Sequence, residues 1–282
     1  MRQMLNEPFD RLWAGRDPFE AVFELEGEVF RNVKNRKTFR IEVEGKGFFV
    51  KIHRGVGWKE IFKNLFQFKL PVTGAANEFL ALKRLTELGI ATMESAAFAE
   101  RNFNPAAKES FLVTRELTDV VTLEDWGAEN PVSPLRRRLI RAVARSAGTM
   151  HRAGINHRDC YICHYMLHLP TAQTVEPTVY VIDLHRAQIR KKVPYRYHVK
   201  DVAGLLFSAW SASLTCREAL RFIREYSCRP LKVELRENRK FWQDVERTAR
   251  NLFYKEHGAE PTWMISESFR ASGIADAKVK NA

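Results

Sequence analysis

No stretch of this 282-residue chain approaches the roughly 18 uncharged apolar residues that span a bilayer, so a membrane-crossing helix is not expected. The opening segment, MRQMLNEPFDRLWAGRDPF, carries acids and prolines and lacks an apolar h-region. It does not read as a secretory leader, and a cytoplasmic address is expected. Cysteine is scarce, with four residues (Cys160, Cys163, Cys216, Cys228), which excludes a disulfide scaffold. In one stretch, Cys160, Cys163 and His164 have the C-x-x-C-H spacing of haem attachment. That attachment follows export, which nothing here directs, and Cys216 with Cys228 is too widely spaced to complete a zinc site. Neither haem nor zinc is expected. Internal repeats and low-complexity segments are also missing.

Acidic residues are in deficit. With 46 Lys and Arg against 34 Asp and Glu, the net charge is +12 and the pI is near 9.7. Such a balance points to an anionic partner (nucleic acid, an acidic membrane surface or a phosphorylated small molecule) or to no more than a soluble basic surface, and charge alone does not decide between them. The hydrophobic fraction of 45% is that of a globular protein large enough for two lobes with separate cores.

The first half alternates. GEVFRNV and KTFRIEVEG read as two strands around the turn KNRK, and GKGFFVKIHR as a third, with Phe39, Ile41 and Val43 at period two. WKEIFKNLFQFKL follows with a helical stripe of Trp58, Ile61, Phe62, Leu65 and Phe66, ended by Pro71. AANEFLALKRLTELG is a second helix stopped by Gly89, and ESFLVTREL is a buried strand. From Ser133 the pattern turns helical, beginning with SPLRRRLIRAVARSAGTMHRAG, and YMLHL with TVYVIDLHR forms a hairpin. Three more helices follow, VKDVAGLLFSAW, LTCREALRFIREYS with a Thr215/Glu218 capping box, and RKFWQDVERTARNLFYKEHG. The expected division is an extension over 1–27, a sheet lobe over 28–117, a helical lobe over 118–258 and a frayed tail over 259–282.

Phosphoryl transfer needs a cation on the phosphates, a carboxylate to place that cation, a carboxylate to receive the acceptor's proton, and metal ligands. Lys51 ends the third strand in FFVK, and Glu78 sits in the following helix as its pairing acid. Asp159 lies in His157-Arg158-Asp159 beyond a long helix, and Asp183 follows strand formers in VYVIDLH. The order is that of protein kinases, as is Asp201 in KDVAGL, whose counterpart binds the catalytic-loop backbone; the alternative for Asp201 is a helix N-cap. Glu116, in the connection between lobes, joins Lys51 and Glu78 as a nucleotide-binding residue. Departures are plain: no G-x-G-x-x-G joins the first two strands, where basic VKNRK offers Arg36 or Lys37 instead. His164 stands at the second metal position, which favours Mn²⁺ or an altered site, and Leu184-His185 replaces Phe-Gly after Asp183.

The strings AGINHRDCYICHYMLHLP, VIDLHRAQIRKKVP, KDVAGLLFS and EPFDRLWAGRDPFE resemble the lipopolysaccharide core heptose(I) kinase family (WaaP/RfaP type) from about Glu7 to about Tyr254. The resemblance implies an α+β, bilobal protein-kinase-like fold, with a small antiparallel-sheet N-lobe and a mainly helical C-lobe. It implies ATP- and Mg²⁺-dependent phosphorylation of the 4-hydroxyl of the first inner-core heptose at the cytoplasmic face of the inner membrane. Asp159 matches the catalytic aspartate, and Lys51, Glu78 and Asp183 fall on nucleotide and metal positions, with His164 beside the metal. A lipid A–inner core acceptor and acyl carrier protein are the implied partners, not nucleic acid. Arg186, Arg190, Lys191 and Lys192 follow Asp183 where a kinase binds its acceptor, and Arg136, Arg137, Arg138, Arg141 and Arg145 add charge on the preceding helix. The Trp58–Phe66 stripe has three readings: core packing, which comes first, an interfacial face, or a groove for an acyl chain. Alternatives to the heptose kinase are a kinase for another core sugar or for protein tyrosine, and a kinase-like scaffold docking an acidic protein.

Overall fold

A computed structural model describes residues 2–33, 35–55, 57–58, 62, 66, 74–102 and 104–265. The chain forms two compact units, Met1–Thr118 with Ile182–Ala187, and Asp119–Val181 with Gln188–Ala282. The short segment around Asp183 therefore belongs to the first unit although its neighbours in sequence belong to the second.

The first unit is built on β1 (Arg2–Leu5), α1 (Phe9–Leu12), α2 (Pro18–Phe23), β2 (Glu28–Val33), β3 (Arg36–Val43), β4 (Lys46–His53), α3 (Ala76–Glu87), β5 (Ser95–Arg101) and β6 (Glu109–Arg115). Its strands make one antiparallel sheet in the order β1-β5-β6-β4-β3-β2. The period-two pattern puts Phe39, Ile41, Phe48, Val50, Ile52, Phe111 and Val113 on one face. That face is covered by the segment read as an extension, whose Phe9, Trp13, Phe19 and Val22 are buried against it. Rings meet edge-on there, Phe9 with Phe48 at 5.1 Å and Trp13 with Phe111 at 5.7 Å, the geometry the ring quadrupoles favour. Removing this segment would expose the apolar side chains of that face, so it is part of the core and not an appendage.

The opposite face receives α3, with Phe79 stacked on Phe98 at 4.1 Å. This helix has no capping side chain of its own; the Ser110 hydroxyl of β6 accepts from Ala75 N at 2.9 Å instead, and Gly89 at φ +70° ends it. The stripe expected from Trp58 to Phe66 lies mostly outside the described residues. Trp58, Phe62 and Phe66 are helical there but 51%, 52% and 83% exposed, which overturns core packing for these three side chains.

The second unit contains β7 (Val120–Thr122), α4 (Leu123–Glu129), α5 (Leu135–Arg152), β8 (Ile155–Asn156), β9 (Tyr165–His168), β10 (Val179–Val181), β11 (Gln188–Ile189), α6 (Tyr195–Ser211), α7 (Cys216–Ser227), α8 (Leu231–Glu237) and α9 (Arg239–His257). β9 and β10 pair as the expected hairpin, with β7 on its other edge, and β8 pairs with β11. The Thr215/Glu218 capping box is formed at the start of α7. Three arginines of α5 are engaged within the fold. Arg136 is buried against Glu218 at 2.9 Å, Arg138 donates to Gln173 O, and Arg145 pairs with Glu176 and Glu225. The segment expected to fray is anchored up to Ile265, which is buried, with Trp263 Nε1 donating to Leu214 O at 2.7 Å.

Leu123, Leu139, Val143, Leu206, Ile223 and Ile265 are among the side chains lining a cavity of about 110 Å³ inside this unit. Apart from Arg136, already held by Glu218, its walls are hydrocarbon, aromatic rings and glycine.

Candidate active site

In the first unit, Lys51 sits on a central strand, opposite Thr38 of β3 and Leu112 of β6. Its ammonium donates to Glu78 Oε1 at 2.5 Å. Glu78 is 1% exposed and lies in the first turn of α3, where the helix N-terminus favours a negative charge. The pair is directional, because the strand and the helix leave each side chain one way to point. The second oxygen, Glu78 Oε2, is buried with no hydrogen-bond partner among the described residues.

Asp183 caps the 3₁₀ turn Leu184–Arg186 with a left-handed backbone, φ 58° and ψ 50°. Its Oδ1 lies 2.5 Å from His185 Nδ1, so the histidine that replaces glycine two residues on acts as a carboxylate partner. Glu116 is bound by Arg40, whose Nε donates to both carboxylate oxygens at 2.9 Å, and its own N–H donates to Gly47 O.

In the second unit, Asp159 follows α5 and β8 in a turn whose shape depends on one buried carboxylate. Arg158 has φ +75°, a left-handed conformation costly for a residue with a Cβ. Asp201, 1% exposed inside α6, accepts from His157 N at 2.6 Å and from Arg158 N at 2.9 Å. The N-cap alternative for Asp201 is excluded by its place in the helix interior. The same carboxylate lies 3.4 Å from His151 Nε2; His151 Nδ1 is 2.7 Å from the Tyr226 hydroxyl, which also meets His198 Nε2. A carboxylate requires His151 to carry its proton on Nε2, so Nδ1 accepts from Tyr226, and His198 donates to the Tyr226 oxygen. Burial and the neighbouring His151 pull His198 down to about 4, which keeps it a neutral imidazole, and burial pushes the Tyr226 hydroxyl up. His151, Tyr226 and His198 carry no sequence motif of their own; only the polar His151 on the last turn of an apolar helix face gave a signal.

His164 Nδ1 is 2.7 Å from the Asp159 carbonyl, which can only accept, so the lone pair of its ring is on Nε2. That is the tautomer in which a histidine ligates a metal while its other nitrogen is held by a carbonyl. Its ring stacks parallel on His157 at 5.6 Å. Among the described residues no three of His, Cys, Asp and Glu gather as a ready-made metal cluster. Magnesium bound through a carboxylate or two and nucleotide phosphates does not require one. Cys160 packs beneath the loop, 2% exposed, with Sγ 3.5 Å from Tyr165 Oη and its thiol pushed up by burial.

Of the residues after Asp183, Lys191 and Lys192 are exposed. Arg190 is occupied: it donates to Asn156 Oδ1 at 2.9 Å and Gln188 Oε1 at 2.5 Å, tying β11 to the start of the loop that carries Asp159. Arg186 is half-buried in the first unit.

Fold and site together define a phosphotransferase with a protein-kinase-like fold. The model of the lipopolysaccharide kinase (Kdo/WaaP) family matches residues 20–226, and the chain belongs to that family. It is 52% identical over 258 residues to the lipopolysaccharide core heptose(I) kinase WaaP of Pseudomonas aeruginosa, spanning 90% of this chain and 96% of that one. The WaaP of Escherichia coli is 46% identical over 253 residues, with 88% and 96% covered. Among solved structures, WaaP in complex with acyl carrier protein superposes with a TM-score of 0.77 at 46% identity, covering 90% of this chain and all of that one.

Proposed function

We propose that this chain transfers the γ-phosphoryl group of ATP to the 4-hydroxyl of the first heptose of the lipopolysaccharide inner core. The observation that carries the reading is the buried Lys51–Glu78 pair, a cation fixed by a desolvated carboxylate in the sheet unit. Lys51 holds the α- and β-phosphates, and Glu116 and its neighbours in the connection to the second unit receive the base. Asp183 in the first unit is the residue that would hold Mg²⁺ or Mn²⁺, which supplies charge neutralisation at the phosphates when bound, and His164 is the candidate ligand that the second unit offers. Asp159 orients the sugar hydroxyl and takes its proton as the oxygen bonds to phosphorus and the bond to the departing ADP oxygen breaks. Lys191 and Lys192, with Arg186, face the anionic groups of a lipid A–inner core acceptor.

Two associations extend the reading. The exposed aromatic rings of Trp58, Phe62 and Phe66, interleaved in sequence with Lys59, Lys63 and Lys69, suit peripheral contact with the inner membrane at its cytoplasmic face. Acyl carrier protein, present in the solved complex of a relative, suits the basic charge of this chain, and the apolar cavity of the second unit suits a hydrocarbon chain that it presents.

The test is phosphorylation of defined core acceptors, intact and lacking the first heptose, by wild type and Asp159→Ala. Transfer to the heptose-containing acceptor alone, reduced at least 10³-fold in the variant, is the expected result. Full activity of Asp159→Ala, or equal transfer to tyrosine peptides or another core sugar, would remove the proposal.

A further inference from the structure

Kinases hold the triphosphate with the backbone amides of a glycine-rich hairpin, and this chain has no glycine in the corresponding turn between β2 and β3. That turn is also clipped in place: Arg54 N donates to Asn35 O at 2.8 Å and Asn35 Nδ2 to Gly55 O at 2.5 Å. Something else must meet the phosphates.

The strand register narrows the choice to one of the two basic residues at the start of β3. Arg36 pairs with His53 and Thr38 with Lys51, so Arg36, Lys51 and His53 all stand on the sheet face that receives α3. Directly opposed and diagonal positions on one face lie within about 8 Å, inside the reach of a guanidinium. Lys37 pairs with Ile52 and faces the other way, its ammonium 4.5 Å from the Phe39 ring on the face buried by the N-terminal segment.

Arg36 is half-buried, and among the described residues it makes no hydrogen bond or ion pair. Glu78, the acid that pairs Lys51, and Asp183, the acid assigned to the metal, are both near enough to act on its charge. A partly desolvated cation left without a partner is destabilising unless a ligand supplies the anion. The second observation is His53, 4% exposed, whose Nδ1 is buried without a hydrogen-bond partner among the described residues. Burial, then Arg36, Lys51 and His185, pull it down to about 3, so it stays a neutral imidazole wedged among cations. An array of positive charge focused on one spot, with a histidine forced neutral beside it, is the field an oligophosphate requires.

We propose that Arg36 is a triphosphate-binding residue that takes over, with a side-chain fork, the task performed elsewhere by a glycine-rich loop. The inference rests on the kinase reading and deepens it: it makes the β3 guanidinium, with Lys51, the determinant of preference for triphosphate over monophosphate. A fork that binds two phosphate oxygens at once gives geometric selectivity that an amide cradle would otherwise provide.

The test is titration of the full-length chain with Mg²⁺ and ATP, ADP or AMP, alongside the KM for ATP, in wild type, Arg36→Ala, Arg36→Lys and Lys37→Ala. Arg36→Ala is expected to weaken ATP about ten- to a hundredfold, the loss of a charge-assisted phosphate contact, and to leave AMP within twofold. KM for ATP rises with it while kcat changes little, Arg36→Lys recovers part of the loss, and Lys37→Ala behaves as wild type. Wild-type affinity for ATP in Arg36→Ala, or an equal loss for AMP, overturns the assignment while leaving the kinase reading intact. Failure of the wild type itself to bind or turn over ATP overturns the kinase reading and this inference with it.

Discussion

Asp201 is the residue whose replacement most sharply separates a working catalytic turn from a merely folded one. Its carboxylate is 1% exposed and receives two backbone N–H groups, at 2.6 and 2.9 Å, from the residues just before Asp159. Hydrogen bonds to a charged group contribute about 1.5–3 kcal/mol each, so Asp201→Ala removes about 3–6 kcal/mol of support from the turn. Arg158, at φ +75°, is the residue that loses it, in a left-handed backbone costly for a residue with a Cβ. Relaxation toward ordinary φ re-aims the Asp159 carboxylate. If the whole penalty falls on this local equilibrium, the competent turn drops about 10²–10⁴-fold in population, and kcat drops with it. Asp201→Asn keeps one acceptor oxygen and is expected to lie between. The assay is steady-state phosphorylation with KM for ATP measured separately, beside a denaturant melt of each variant. A kcat of Asp201→Ala within fivefold of wild type, in a protein that melts normally, would refute the coupling between this carboxylate and the catalytic turn.

His53 gives a pH dependence with a definite sign. Its folded pKa of about 3 lies below the ordinary value of 6.5, so stability is complete above pH 6.5 and declines as pH falls toward 3, because the unfolded chain binds the proton first. Denaturation of wild type and His53→Asn between pH 7 and pH 4 is expected to differ in slope by up to about 1.4 kcal/mol per pH unit, and coincident slopes would contradict it. Leu206→Trp, placing an indole in the apolar cavity, is expected to weaken binding of acylated carrier protein about tenfold while sparing ATP turnover; unchanged capture in a pull-down with purified acyl carrier protein counts against the cavity. Joint change of Trp58, Phe62 and Phe66 to Ser is expected to abolish co-sedimentation with anionic vesicles at an unchanged melting temperature, since all three rings are exposed. Unaltered sedimentation removes the interfacial reading.

The strands and helices that obey one clean period were legible directly. β3 and β4 alternate because one face is covered and the other less so, and α5 and α7 carry uninterrupted stripes with recognisable ends. β5, Ser95–Arg101, was not, since it is buried on both faces and is built largely from alanine, which advertises no strand. The N-terminal segment was read as an extension because its apolar residues are spread over two short helices with no common stripe. Only the sheet they cover gives Phe9, Trp13 and Phe19 a shared purpose. The arginines of α5 looked like a surface for an anionic acceptor, yet Arg136 and Arg145 meet glutamates 82 and 80 positions away in sequence, at Glu218 and Glu225.

Residue identity and order alone determined the chemistry on offer: a strand lysine, a helix glutamate and two loop aspartates in kinase sequence, on a basic chain without a long apolar span. Those are local properties, written in spacing and charge. What tertiary structure decided is which neighbours those groups have. It buried Glu78 against Lys51, tied the Asp201 carboxylate to the backbone of His157 and Arg158, put Arg36 on the same face of the sheet as Lys51 and Lys37 on the other, and joined His151, Tyr226 and His198 into one chain of hydrogen bonds. Long-range packing brings such groups together, and no pattern of nearby residues encodes a contact between positions 75 apart.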